Sequence, residues 1–170
     1  MTATPPLTLT VQTGFDGEDE GEEPPSLPST AAFEGWVAAA LLAVDYPRAV
    51  ELTVRIVGEA EGAALNQTYR HQVGPTNVLA FPLHLPADVT QDYLGDIAIC
   101  APLVSREAAA QGKALEAHWA HLVVHGTLHL LGYDHDTDSR AAAMEALESR
   151  IISSLGHRNP YGDDESCIAL

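Results

Sequence analysis

LGDIAICAPLVSREAAAQGKALEAHWAHLVVHGTLHLLG, residues 94–132, passes from a short apolar run straight into helical periodicity, and that change of period decides the fold class. LGDIAIC, residues 94–100, reads as a largely apolar strand. Pro102 suits the first turn of a helix running to about Lys113, because a missing backbone N–H costs nothing there. A second helix spans Glu116 to Leu131, with Trp119, Leu122, Val123, Leu128, Leu130 and Leu131 recurring on it, and Gly132 ends it. A last amphipathic helix follows from Thr137 or Asp138 to Leu155, with Met144, Leu147, Ile151 and Ile152 on one side.

Upstream, PPLTLTVQ (5–12) alternates as a short strand, and Ser29 or Thr30 caps a core-facing helix to about Ala43 through Phe33, Trp36, Val37, Leu41 and Leu42. ELTVRIVG (51–58) buries Leu52, Val54 and Ile56 on one face of a strand, and Glu59 to Tyr69 reads as a helix. PTNVLAFP (75–82), bracketed by prolines, suits a strand near a sheet edge. These elements predict an α+β fold with one mixed β-sheet of about four strands packed against a layer of helices. A single domain over residues 1–160 is expected, with an acidic loop at about 14–28, a flexible tail at 161–170 and no internal repeat.

The chain has 170 residues, 46% of them hydrophobic and 19% charged, which is enough apolar material for one buried core and excludes a disordered linker. No apolar run approaches the roughly 18 residues that span a bilayer, and MTATPPLTLT lacks a basic leader, so a cytoplasmic protein with no membrane partner is expected. Cys100 and Cys167 form no CxxC pair, which leaves nitrogen or oxygen to hold any metal. The net charge of −16 is unevenly spread. Asp16, Glu18, Asp19, Glu20, Glu22 and Glu23 form one acidic cluster, and Asp163, Asp164 and Glu165 form another. An anionic substrate must therefore be drawn by a local site and not by the overall field.

That local site is most visible in HGTLHLLGYDH, residues 125–135. His125 and His129 are four apart on one helix face, with Cβ atoms about 5–6 Å apart, so one ion can reach both. Gly132 can take positive φ and let the chain fold back so that His135 reaches the same point. Three neutral imidazoles suit one zinc ion and leave its fourth position open, the layout of a catalytic site. The spacing coincides with the zinc-protease pattern HExxHxxGxxH, but Gly126 stands where that pattern has its glutamate base. His118 and His121 are expected to be structural or to support the ligands from behind.

The same segment resembles the signature of the YbeY-type endoribonucleases, metal-dependent bacterial proteins of ribosomal RNA maturation and ribosome quality control. LNQTYRHQVGPTNVLAFP (65–82) and LGDIAIC (94–100) extend the resemblance over about Leu52 to Ser153, leaving the acidic loop and the C-terminal tail outside it. The resemblance implies that His125, His129 and His135 hold zinc and that Arg70, in the LNxxYR stretch, is the functional arginine facing the metal. It also implies single-strand-specific hydrolysis of RNA phosphodiester bonds in 16S rRNA precursors, with a ribosome or ribosomal protein as partner and no DNA. Asn77 and Ala80 depart from the family pattern, which has aspartate and serine there.

A planar guanidinium at Arg70 suits bidentate capture of a phosphate, and its alternative is an ion pair on a helix surface. Asp134 could orient an imidazole or serve turn chemistry, Asp96 could face the cleft or cap a turn, and His84 could approach it from a loop. Two other functions fit parts of the pattern. One is a zinc-dependent peptide or amide hydrolase, and the other is a non-enzymatic ribosome assembly factor in which zinc is structural.

Overall fold

The computed structural model describes residues 6–13, 27–83 and 93–157, so His84, most of the acidic loop and the tail lie outside the described residues. The elements run β1 (Leu7–Thr13), α1 (Thr30–Ala43), β2 (Val50–Val57), α2 (Glu59–Arg70), β3 (Val78–Pro82), β4 (Tyr93–Cys100), α3 (Ala101–Gln111), α4 (Leu115–Leu130) and α5 (Asp138–Ser154). The expected α+β fold is the observed one: a four-stranded mixed sheet of order β1-β2-β4-β3, parallel across the first three strands and antiparallel at β3. Among the described residues no helix is long and apolar enough to cross a membrane.

Local chemistry explains where the helices begin. Ser29 Oγ accepts a hydrogen bond from Ala32 N at 3.1 Å, and Thr137 Oγ1 accepts one from Arg140 N at 3.2 Å, so each satisfies a donor that the first helical turn leaves free. α1 and α4 meet through Phe33, whose ring lies edge-on to Trp36 and to Trp119 at 5.6 and 5.7 Å between centroids. Leu41, Leu52, Ile56, Ile97, Ile99, Leu122, Met144 and Ile151 complete this core, each of them fully buried and worth about 1.5–3 kcal/mol in transfer from water. Arg55 lies on the opposite side of β2 from Leu52, Val54 and Ile56, where it donates to Glu61 of α2 at 2.8 Å.

The strand expected from residue 75 begins at Val78. Asn77 is buried and already committed: its carbonyl accepts from Cys100 N at 3.0 Å and its side-chain amide donates to Glu107 of α3 at 3.1 Å. β3 then runs along the sheet edge, as its prolines suggested.

Two glycines set the spacing on which the cleft depends. Gly126 faces Ile97 of β4, and a Cβ at that position would meet Ile97 Cγ2 at 2.9 Å, so α4 lies close on the sheet only because the residue is glycine. Gly95 holds φ +138, and a Cβ there would stand 2.2 Å from the Phe81 carbonyl oxygen, so β3 keeps its approach to β4 through a residue without a side chain.

Candidate metal centre

α4 places His125 and His129 one turn apart at its C-terminal end, and the helix closes at Leu130. Tyr133 N then donates to the Leu128 carbonyl and Gly132 takes φ +100, which turns the chain back over the helix end. His135 arrives on that return. Its ring lies 5.9 Å from that of His125 and 5.1 Å from that of His129. His125 Nε2 and His129 Nε2 are 3.0 Å apart, and one ring nitrogen from each of the three residues falls within 4.8 Å of the others. The convergence expected from the spacing is the geometry observed.

This donor set fits a small divalent cation. Burial, reinforced by the neighbouring His125 and His135 rings, lowers the His129 pKa to about 4, so His129 presents a lone pair at neutral pH. One ring nitrogen from each histidine faces a common point, a group that could hold a metal ion.

Behind the trio lies a residue that sequence reasoning missed. Glu148 of α5 is 0% exposed. His121 Nε2–H donates to its Oε2 at 2.9 Å, and His125 Nδ1–H donates to its Oε1. Burial alone would raise the carboxyl pKa, but the two hydrogen bonds and the histidine charges outweigh it and lower the value to about 2. Glu148 is thus a carboxylate that fixes the His125 tautomer, with the proton on Nδ1 and Nε2 free to face the cleft. Its signal in the sequence is position: Glu148 follows Met144 by four residues and precedes Ile151 by three, which puts a carboxylate on the apolar face of α5.

The other singled-out residues separate cleanly. His118 is buried and its Nε2 contacts Glu107 at 3.0 Å, away from the trio. His121 serves Glu148. Asp96 accepts a hydrogen bond from Tyr93 Oη and does not line the cleft. Asp134 does line it, and its Oδ1 accepts from His135 N at 2.7 Å, which is turn chemistry. Arg70 is exposed at the end of α2, lines the cleft with the three histidines, and makes no ion pair among the described residues. Among the described residues, the helix-surface ion pair offered as its alternative is not seen.

The cleft encloses about 750 Å³ at the β3 edge of the sheet. The ends of α2 and α4 flank it, β3 supplies a wall from Val78 to Pro82, and Tyr133 to His135 form the far rim. Ala80 lies on that wall, whereas Asn77 is turned towards α3, so of the two departures from the family pattern only Ala80 touches the cleft.

Comparison with known proteins gives the same picture. The family described as Endoribonuclease YbeY matches residues 19–156, reaching further towards the N-terminus than the three sequence blocks and taking in part of the acidic stretch. A protein of Pseudomonas entomophila named Endoribonuclease YbeY is 55% identical over 140 residues, covering 82% of this chain and 88% of that one. A protein of the same name from Methylococcus capsulatus is 55% identical over 136 residues, covering 80% and 88%. The solution structure of TM1509 from Thermotoga maritima is similar with a TM-score of 0.53 and 26% identity, covering 93% of this chain and 97% of that one.

Proposed function

The chain belongs to the Endoribonuclease YbeY family and is a metallo-endoribonuclease of rRNA processing, and we propose that its ion is a single zinc held by His125, His129 and His135. Arg70 is the residue we assign to the reacting phosphate. The substrate in this reading is single-stranded RNA of the 16S rRNA precursor, met in the cytoplasm on a ribosome or through a ribosomal protein, with neither DNA nor a membrane involved. The observation that carries the reading is the focus of three ring nitrogens within 4.8 Å inside a cleft shared with an arginine free of ion pairs among the described residues.

When bound, zinc supplies a Lewis acid for a phosphoryl oxygen and lowers the pKa of coordinated water towards about 7. The chain's own residues do the rest. Glu148 holds the His125 proton on Nδ1, so the opposite nitrogen stays a donor to the ion. The Arg70 guanidinium binds two phosphate oxygens at once and offsets charge that grows on them in the transition state. Peptide hydrolysis by the protease route is disfavoured sterically as well as chemically. A glutamate at position 126 would bring its Cβ to 2.9 Å from Ile97 Cγ2, so that side chain or the helix would have to shift.

Protein stripped with chelator should lose cleavage of a single-stranded oligoribonucleotide and regain it with zinc, and His129→Ala should stay inactive. Arg70→Ala should keep its zinc and melting temperature while kcat falls about 100- to 1000-fold, the usual cost of one transition-state donor. Cleavage that survives verified metal removal would overturn the assignment. An Arg70→Ala protein that processes rRNA normally would remove Arg70 from the reaction.

A further inference from the structure

A net charge of −16 gives this chain little general attraction for a polyanion, and Arg70 is the only lysine or arginine among the described residues lining the cleft. Affinity from counterion release grows with the number of phosphates neutralised, and one arginine beside one divalent ion neutralises few. Aromatic surface is what the cleft has instead. Tyr69, Phe81 and Tyr133 all line it. Tyr69 is 61% exposed, so much of its ring is accessible from the cleft that it lines. Its ring packs at a steep angle against Phe81, 4.8 Å between centroids and 64° between planes, so it is supported on one side and open to the cleft on the rest. Phe81 is itself fixed by the β3–β4 register opposite Asp96.

We propose that the Tyr69–Phe81 pair is a base-stacking subsite, which receives an unpaired nucleobase of the RNA whose neighbouring phosphate lies at Arg70. The inference rests on the RNA-cleaving reading above and adds the means by which the strand is held. Tyr69 and Arg70 are consecutive at the end of α2, and His71 closes that helix in the left-handed conformation at φ 56, so platform and phosphate contact are placed as one unit. Stacking on an aromatic face is indifferent to base identity, and it requires a base whose faces are not covered by a duplex. Preference for single strands then follows from the platform and needs no base-specific hydrogen bond.

The test uses the zinc-loaded full chain and a short single-stranded oligoribonucleotide carrying 2-aminopurine, whose fluorescence is quenched on stacking. Tyr69→Phe should keep KM within about twofold of wild type and retain the quench, because the ring face is unchanged. Tyr69→Ala and Tyr69→Leu should raise KM about 5- to 100-fold and lose the quench, with kcat within about threefold and with zinc content unchanged. Tyr69→Leu keeps apolar bulk against Phe81, so it carries the test should the alanine protein fold poorly. Wild-type KM and wild-type quenching in Tyr69→Leu would overturn the platform while leaving the RNA reading intact. A Tyr69→Phe protein as impaired as Tyr69→Leu would also overturn it, since the hydroxyl and not the face would then be the contact. A wild type that neither binds nor cleaves the oligonucleotide would remove the RNA reading and the subsite together.

Discussion

Glu148 holds the orientation of His125 in the proposed metal centre, although it does not itself face the cleft. Glu148→Gln preserves shape but removes the charge, and the amide must donate to one of the two histidines that now donate to the carboxylate. Zinc affinity should drop about 10- to 100-fold in a competition titration against a chromophoric chelator, the usual cost of losing a carboxylate behind a histidine ligand. The convergence of the three histidines was legible because helix periodicity converts a spacing of four into one face, and Gly132 announces the return that delivers His135. Glu148 was not, because in MEALESR it is one glutamate of two and only its place on the apolar stripe distinguishes it.

The same residues fix the acid limit of the metal-free protein. His129 has its pKa lowered to about 4 in the folded state, so the unfolded chain binds its proton first, and the stability this group contributes fades as pH falls from about 6.5 towards 4. Glu148, lowered to about 2, contributes stability that is present above about 4.5 and fades as pH falls through 2. Both act in one direction. Melting temperatures of the zinc-free protein should therefore decline from pH 7 to pH 5 and more steeply at pH 4, and His129→Asn should flatten the first part of that decline.

Among the elements, β3 carries the most function for its length. Five residues of an edge strand supply a wall of the cleft and the ring that supports Tyr69, and their position depends on Gly95. Gly95→Ala places a methyl group against the Phe81 carbonyl at a backbone conformation that alanine adopts poorly. Urea unfolding should show a loss of about 1–3 kcal/mol, with KM for RNA rising as the wall shifts. A smaller loss, with KM unchanged, would mean that β3 yields without moving Phe81. The strands and helices themselves were legible from periodicity and capping residues. The start of β3 was not, because the side chain of Asn77, just before the strand, is committed to Glu107, a partner 30 residues away that no local pattern announces. The steric demand at Gly126 was equally hidden: the sequence shows that the protease's glutamate is absent, but not that Ile97 of β4 would crowd a Cβ there.

At the scale of the whole molecule, charge and topology pull in different directions. The sheet order β1-β2-β4-β3 brings the LNQTYR helix, the VLAFP strand and the histidine helix to one edge, and no local pattern states that order. Parallel pairing joins segments distant in the chain, so pairing partners are chosen by the packed core and not by neighbouring residues. The acidity, by contrast, is plain in composition and bears directly on binding. If one arginine and one ion are the cationic contacts, log KM against log salt should have a slope of only about 1 to 1.5, since each phosphate contact on a single strand contributes about 0.7. A slope of 4 or more would mean that basic groups beyond the cleft carry the RNA.

The turn at Gly132 has one more consequence. Two of the three rings ride on a continuous helix, while the third hangs on a short return leading into α5, the helix that also bears Glu148. An ion seated there would fasten the last hairpin like a clasp. Of the three proposed ligands, His135 is then the one that the return and not the helix carries, so such an ion would tie the approach to α5 onto the end of α4.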